Sequence, residues 1–305
     1  MAGVSFRAAE SANKRKTILL LVGMGLLVWL VIYAALNYFG QSTAAIVPIA
    51  VGISLFSIWG AYFSADKLVM TMTGAKVIQE SDNPQLFNLI HEVTIASGLP
   101  MPKVAIVTDD APNAFATGRN PEHSVIAFTT GILRVMDREQ LQGVVAHEMS
   151  HVGNRDTLVS AVAATTAGAI AILSDILTRM MWFGGGRRDN RDNNSNPIAL
   201  VLSLVILILA PIAAVLLKSA ISRRREALAD ATAVAFTRNP AGLRSALEVL
   251  AADSTVVHQR STAVAHIWIE SPLDGKAVSR LFDTHPPIQE RIAALRAMES
   301  LGPAQ

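Results

Sequence analysis

The stretch His147-Glu148-Met149-Ser150-His151 decides how this chain is interpreted, because two histidines stand four positions apart with a glutamate after the first. On a helix, both imidazoles leave the same face one turn apart and can bind one Zn²⁺. Glu148 then lies beside the metal, where its carboxylate can take a proton from a metal-bound water. The motif predicts the core of a zinc peptidase, but a match this short also arises by chance, so the surrounding sequence must support it.

The residues around this motif predict the helix on which it lies. Asp137 can cap a helix, and Glu139 and Gln140 fall in its first turn. Apolar residues at helical spacing predict a buried face: Leu141, Val144, Val145 and Val152. The motif is therefore expected on an amphipathic helix that begins in polar sequence.

Upstream of this helix, the sequence mixes helical and strand signals. Asp82-Asn83-Pro84 is typical of a helix start, and Ser97-Gly98-Leu99-Pro100 is typical of a stop. Strands are predicted over Lys103–Thr108 and Ser124–Thr129, whereas Asp109–Asn120 is rich in turn residues. This part of the chain therefore predicts a mixed α+β unit.

Four apolar segments predict that the chain is integrated into a membrane. Of its 305 residues, 51% are apolar and only 16% are charged, whereas soluble domains carry about 25% charged residues. The segments are Ile18–Leu36, Ala44–Phe63, Leu158–Thr178 and Pro197–Leu217. Each is long enough to cross a hydrocarbon core of about 30 Å as a helix. The first is too long for the apolar core of a signal peptide and a second follows closely, so we interpret it as a retained anchor.

Charge predicts how the chain is arranged across the membrane. Lys14–Lys16 before the first segment place the N-terminus in the cytoplasm. The predicted parts are a two-helix anchor (1–65), a first cytoplasmic part (66–156), a transmembrane hairpin (157–221) with a flexible loop at 184–196, and a second cytoplasmic part (222–305). Arginines in the loop oppose this topology, so the hairpin either carries them across or does not fully cross the membrane. The predicted fold class is α+β, mainly α, with four transmembrane helices and a cytoplasmic domain that the hairpin splits.

Two features of the composition exclude some classes of function. The chain has no cysteine, which excludes disulfides and thiol catalysis. Its basic clusters border the apolar segments and lack interleaved aromatic residues, so we expect the lipid bilayer as a partner and no nucleic acid.

A second motif can complete the metal site, because catalytic zinc usually takes three protein ligands. Glu226 and Asp230 lie one helical turn apart in the stretch 222–231, SRRREALADA. Glu226 could bind the metal, while Asp230 could accept the outer N–H of a histidine ligand. On spacing alone, a solvated charged helix face just after a membrane segment is an equally good interpretation.

Several motifs together resemble the M48 family of membrane-embedded zinc metallopeptidases. HEMSH is followed, after two apolar segments, by SRRREALADA. Further matching stretches are Pro112–Gly118, Phe128–Leu133, and Thr284-His285-Pro286-Pro287 followed by Glu290-Arg291-Ile292. The order is that of the family, and the resemblance extends from the first apolar segment to about residue 295. It implies a zincin-like metallopeptidase domain.

The resemblance also implies a role for each matching residue. His147, His151 and Glu226 would hold one Zn²⁺ per chain, and Glu148 would be the general base. Asp230 would support a zinc ligand from outside, Arg291 would brace the site through an ion pair, and His285 would stabilise the substrate oxyanion. The residues Asn113, Ala114, Phe115, Ala116 and Thr117 would present an edge strand to an extended peptide.

The implied function is that of a zinc metalloendopeptidase in membrane-protein quality control and stress response. It would cut damaged or misfolded membrane proteins from the cytoplasmic face of the bacterial inner membrane. The position of the motifs agrees with this expectation, because His151 lies seven residues before the third apolar segment and Glu226 nine after the fourth. The metal is therefore expected close to the membrane surface.

Three rival functions fit the sequence less well. An intramembrane metalloprotease would place HExxH inside an apolar span and LDG in a membrane helix, whereas Leu273-Asp274-Gly275 lies here in a polar stretch. A non-enzymatic membrane scaffold, or a peptidase fold that has lost activity, would not be expected to keep a full set of metal ligands and base. A transporter would need polar residues within its spans, and these segments have almost none.

Overall fold

The computed structural model describes residues 43–158, 225–253 and 287–300, together with single residues between 15 and 33 and residues 175, 255, 268 and 269. Within these residues, no helix is both long and apolar enough to cross a membrane. Of the predicted spans, Ala44–Phe63 falls within the helix Thr43–Thr73, and Ile18–Leu36 is described only at scattered helical residues. Leu158–Thr178 lies outside the described part except at residues 158 and 175, and Pro197–Leu217 lies wholly outside it. The prediction of four transmembrane helices is therefore not confirmed.

The described residues form a mainly helical α+β fold around one small sheet. The helices are α1 (Thr43–Thr73), α2 (Pro84–Ser97), α3 (Thr130–Val135), α4 (Arg138–Gly153), α5 (225–237), α6 (Pro240–Ala252) and α7 (Ile288–Ser300), with 3₁₀ turns at Glu80–Asp82 and Pro121–His123. The strands are β1 (Lys76–Val77), β2 (Lys103–Val107), β3 (Ala114–Gly118) and β4 (Ser124–Thr129). Their order is β1-β2-β4-β3; β2 and β4 are parallel, and the other pairs are antiparallel. The α+β prediction is thus confirmed.

Local signals define the two predicted helices as expected. The Asn83 side chain accepts a hydrogen bond from the Leu86 N–H at 3.1 Å, and α2 ends at Gly98 with a φ of 69°. At the start of α4, the Asp137 carboxylate accepts from the Gln140 N–H, and the Gln140 side chain accepts from the Asp137 N–H. This reciprocal cap fixes where the helix that carries the HExxH motif begins.

The turn-rich stretch Asp109–Asn120 contains a strand, which its composition does not predict. Its turn residues, Pro112 and Gly118 among them, stand before and at the end of β3 rather than inside it. The four residues between Asn113 and Gly118 pair with β4 and are buried. Tertiary pairing therefore decides this element, and β3 becomes an edge strand of the sheet.

Close packing of helices holds α4 in place over the sheet. Buried apolar residues of α2, α4, α6 and α7 form one core with one face of the sheet. A Cβ on Gly143 would lie 2.5 Å from the Leu243 backbone nitrogen, so α4 and α6 approach each other more closely than any other residue at 143 would allow. The HExxH motif follows Gly143 by one turn and is therefore held by this contact.

Candidate metal centre

The two histidines of the motif face each other across one turn of α4. The Nε2 atoms of His147 and His151 are 3.2 Å apart. His147 is buried, whereas the His151 side chain keeps 15% of its surface exposed. The pair therefore lies at the edge of the core, with one ring reachable from solvent.

Glu226 brings a third group to the same point from α5. Its carboxylate oxygens lie 3.4 Å from His147 Nε2 and 3.6 Å from His151 Nε2. One ligand atom from each of the three side chains lies within 4.8 Å of the others. This is a histidine-histidine-glutamate set of the kind that binds catalytic zinc.

The outer nitrogens of both rings face carboxylates, which fixes their tautomers. His147 Nδ1 lies 3.0 Å from Asp230 Oδ1, and His151 Nδ1 lies 3.1 Å from Asp156 Oδ2. When each Nδ1 carries a proton toward its carboxylate, each Nε2 presents a lone pair. Two lone pairs 3.2 Å apart beside a carboxylate repel one another unless a proton or a metal cation lies between them. The donor set therefore fits a divalent metal.

Arg291 from α7 braces this centre from the buried side. Its guanidinium donates to both Asp230 oxygens, from Nε at 2.9 Å and from Nη2 at 2.7 Å. Its Nη1 also lies 3.5 Å from Glu226 Oε2. The ion pair is bidentate, with two parallel hydrogen bonds. It is almost inaccessible to water, because the Arg291 and Asp230 side chains are only 4% and 5% exposed.

Burial and charge shift the acid–base behaviour of these groups strongly. Burial and Arg291 lower the pKa of His147, but its hydrogen bonds to Asp230 and Glu226 outweigh them and raise it to about 9. For Asp230, burial favours the neutral form, yet Arg291 and His147 lower the carboxyl pKa to about 2. Asp230 is therefore an anion at neutral pH, and a metal must displace a proton from His147.

Glu148 is a buried acid beside the metal ligands. The residue is 2% exposed, and burial is the main cause that raises its carboxyl pKa, while the two histidines lower it. A carboxylate with a raised pKa and neighbouring positive charge is suited to accept and return a proton.

The structure brings together most residues that the sequence indicated. His147, Glu148, His151, Glu226, Asp230 and Arg291 form one cluster, and Asn113–Thr117 lies at the sheet edge. His285 lies outside the described residues, as does the rival motif Leu273-Asp274-Gly275. The role of His285 therefore stays a prediction.

Sequence reasoning missed Asp156 and its neighbour Arg225. Asp156 accepts from His151, and Arg225 Nε lies 3.9 Å from its other oxygen. The sequence signal that could have found Asp156 is Gly153-Asn154, a helix stop that predicts a turn just before this residue. In the structure α4 ends at Gly153, and Arg155 has a φ of 58°. This left-handed turn brings Asp156 back onto the end of the helix.

Comparison with known proteins places the chain among metallopeptidases. The sequence pattern of Peptidase family M48 matches residues 80–299. A protein named Protease HtpX homolog from Caldanaerobacter subterraneus subsp. tengcongensis is 44% identical over 95% of this chain and 96% of its own length. A Protease HtpX homolog from Streptococcus gordonii is 44% identical over 94% of this chain and 98% of its own length. Among solved structures, the crystal structure of S. mikatae Ste24p matches 94% of this chain and 66% of its own, with a TM-score of 0.48 and 16% identity.

Proposed function

Because this chain belongs to peptidase family M48 and is a metalloprotease, we propose that it is a zinc-dependent endopeptidase with its active centre at the HExxH motif. His147, His151 and Glu226 would hold one zinc ion per chain. The single observation that carries this proposal is the convergence of their three ligand atoms within 4.8 Å. Bound zinc would lower the pKa of a water to about 7 and polarise the carbonyl of a peptide.

The residues around the metal ligands would keep them in the form that binds. Asp230 would hold the His147 ring by accepting its Nδ1–H, and Asp156 would do the same for His151. Arg291 would keep Asp230 in place through two hydrogen bonds and would offset its charge in a buried site. Both imidazoles would thus present Nε2 without the rotational freedom that a lone ring has.

Glu148 would move the proton that hydrolysis requires. Its carboxylate would take a proton from the attacking water and deliver it to the amine that leaves. Its raised pKa supports this role, because an acid that holds its proton more firmly is a better proton acceptor as an anion. His285 would stabilise the oxyanion that develops on the substrate carbonyl.

The edge strand β3 would hold the substrate. An extended peptide would add to residues 113–117 by main-chain hydrogen bonds, which recognise an unfolded chain and not a particular sequence. We propose that the substrates are misfolded or damaged membrane proteins and that the role is quality control under stress. In this proposal the enzyme is a multi-pass protein of the inner membrane with four spans, and the hairpin formed by the last two spans splits the cytoplasmic domain.

The proposal is tested by proteolysis of a misfolded model protein by detergent-purified enzyme. The enzyme is stripped with a chelator and then given Zn²⁺, beside a Glu148→Gln variant whose zinc content is assayed. We expect zinc-dependent cleavage by the unsubstituted chain and no cleavage by the variant, with one zinc retained in both. Binding of zinc without cleavage by either protein would favour a scaffold, and absence of zinc from both would refute the ligand assignment.

A further inference from the structure

The outer edge of β3 carries main-chain groups that do not pair with β4. The Asn113 carbonyl accepts a hydrogen bond from the Thr129 N–H of β4 at 3.0 Å. Because the bonded residues of an antiparallel strand alternate, the main-chain groups of residues 115 and 117 also face β4. The N–H and C=O of Ala114, Ala116 and Gly118 therefore point away from β4. Of these, the Ala114 N–H already donates to the Asn113 side chain at 3.0 Å. This edge is where an added peptide strand would form its hydrogen bonds.

Two residues from a distant part of the chain already lie on this edge. The Ile269 N–H donates to the outward carbonyl of Ala114 at 3.0 Å. The Trp268 ring contacts Phe115 edge-on, with centroids 4.8 Å apart. Trp268 is 0% and Ile269 3% exposed, so both residues are buried against the sheet.

The backbone bends at Trp268 and Ile269, yet their side chains lie on the two faces of the sheet, as those of consecutive strand residues do. Trp268 packs in the cluster that includes Phe115 and Val69 of α1. Ile269 packs in the other core, which includes Ala114 and Ala116. Side chains of a strand alternate between faces in this way. The pair thus combines a main-chain bond to the edge with side chains on both faces, as an added strand does.

We propose that Trp268–Ile269 is a built-in substrate mimic, which occupies the edge that a peptide must use and reveals the peptide class it accepts. The inference rests on the proposed function of β3. An extended substrate would take the place of the pair with a bulky aromatic residue against Phe115 and an aliphatic residue on the opposite face. The outward N–H and C=O of Ala116 would then extend the pairing, since no described residue bonds to them. Beyond them, the Gly118 carbonyl already accepts from the Thr157 hydroxyl at 3.0 Å.

The test measures binding of a labelled peptide with the sequence of residues 264–271, VAHIWIES, by fluorescence anisotropy. The protein is the full zinc-loaded chain with Glu148→Gln, so that binding is read without cleavage. Ile269→Pro removes the N–H that donates to the Ala114 carbonyl. The matched control Ile269→Val keeps this N–H. We expect at least about tenfold tighter binding to the Ile269→Pro protein, because an edge that is free in about a tenth of the molecules or fewer binds a peptide at least tenfold more weakly than a free edge. A peptide with alanine in place of the tryptophan should bind each protein more weakly.

Other outcomes separate this inference from the proposed function. If the peptide binds the Ile269→Pro protein no more tightly than the Ile269→Val protein, the pair is a permanent strand and the inference is wrong, even if the enzyme cleaves proteins. If the tighter binding is found and the unsubstituted chain cleaves nothing, β3 binds peptides and the pair blocks it as inferred, whereas the proposed endopeptidase activity fails. If Ile269→Pro does not fold, Trp268→Ala replaces it with the same expectation. If both Ile269→Pro and Trp268→Ala lose zinc and fail to fold, the pair is a structural part of the sheet and the inference is wrong.

Discussion

Replacing Asp230 by asparagine should weaken both folding and metal binding, because this one carboxylate serves Arg291 and His147 together. The change keeps the size and an oxygen acceptor for His147 Nδ1 but removes the charge opposite Arg291. The Arg291–Asp230 side chains are only 4% and 5% exposed. Breaking one partner of a buried pair costs about 3–5 kcal/mol, and disturbing a carboxylate behind a metal-bound histidine costs about 10–100-fold in metal affinity.

The chain offers a matched control for this change. Asp110 pairs with Arg134 at 2.9 Å, but these side chains are 74% and 61% exposed. The same substitution, Asp110→Asn, should cost less than about 1 kcal/mol, since water already solvates both charges. It should leave zinc affinity unchanged.

Two assays measure these effects. Denaturant unfolding of the metal-free proteins in detergent gives the free energy of unfolding, and competition with a chromophoric chelator gives the zinc affinity. The reasoning is refuted if Asp230→Asn and Asp110→Asn lose the same small amount of stability and bind zinc equally well.

Three further changes test other parts of the site. Asp156→Ala should lower zinc affinity about tenfold in the chelator assay, because the His151 Nδ1–H loses its acceptor. One zinc should still bind at saturation. Unchanged affinity would mean that Asp156 does not support the metal site. Zinc affinity should rise about tenfold per pH unit from pH 6 toward pH 9, because the pKa of metal-free His147 is raised to about 9 and its proton must leave. Because folding raises the pKa of His147, its protonated ring stabilises the metal-free protein fully below pH 6.5, and this stabilisation is lost as the pH rises through 9. A zinc affinity that does not change with pH would contradict both expectations. Gly143→Ala should lower the melting temperature by several degrees, because the new Cβ would lie 2.5 Å from Leu243 N and push α4 from α6; an unchanged melting temperature would show that the helices separate freely.

The sequence predicted those parts of the fold that local signals determine. The caps at Asn83 and Asp137 lie within three residues of the groups they bond, so short patterns are enough to find them. The pairing of His147 with His151 follows from the period of one helix. Metal-site residues on a single helix are for this reason the easiest to predict.

Contacts between distant elements could not be predicted in the same way. Glu226 and Asp230 have a helical spacing that fits a solvated surface equally well, and only the packing of α5 against α4 brings them to His147. The edge strand β3 forms within turn-rich sequence because its pairing with β4 outweighs the local preference for a turn. The seat of Trp268 against Phe115 depends on tertiary structure alone.

The most direct test of the central claim is zinc K-edge X-ray absorption on the zinc-loaded protein, with zinc content measured on the same sample. We expect one zinc per chain, with scattering from two imidazoles and with oxygen as the remaining ligands, because His147, His151 and Glu226 form the donor set. A His147→Ala, His151→Ala double variant should bind no zinc under the same conditions. An all-oxygen environment without imidazole scattering, or full zinc content in the double variant, would contradict the assignment of the metal centre.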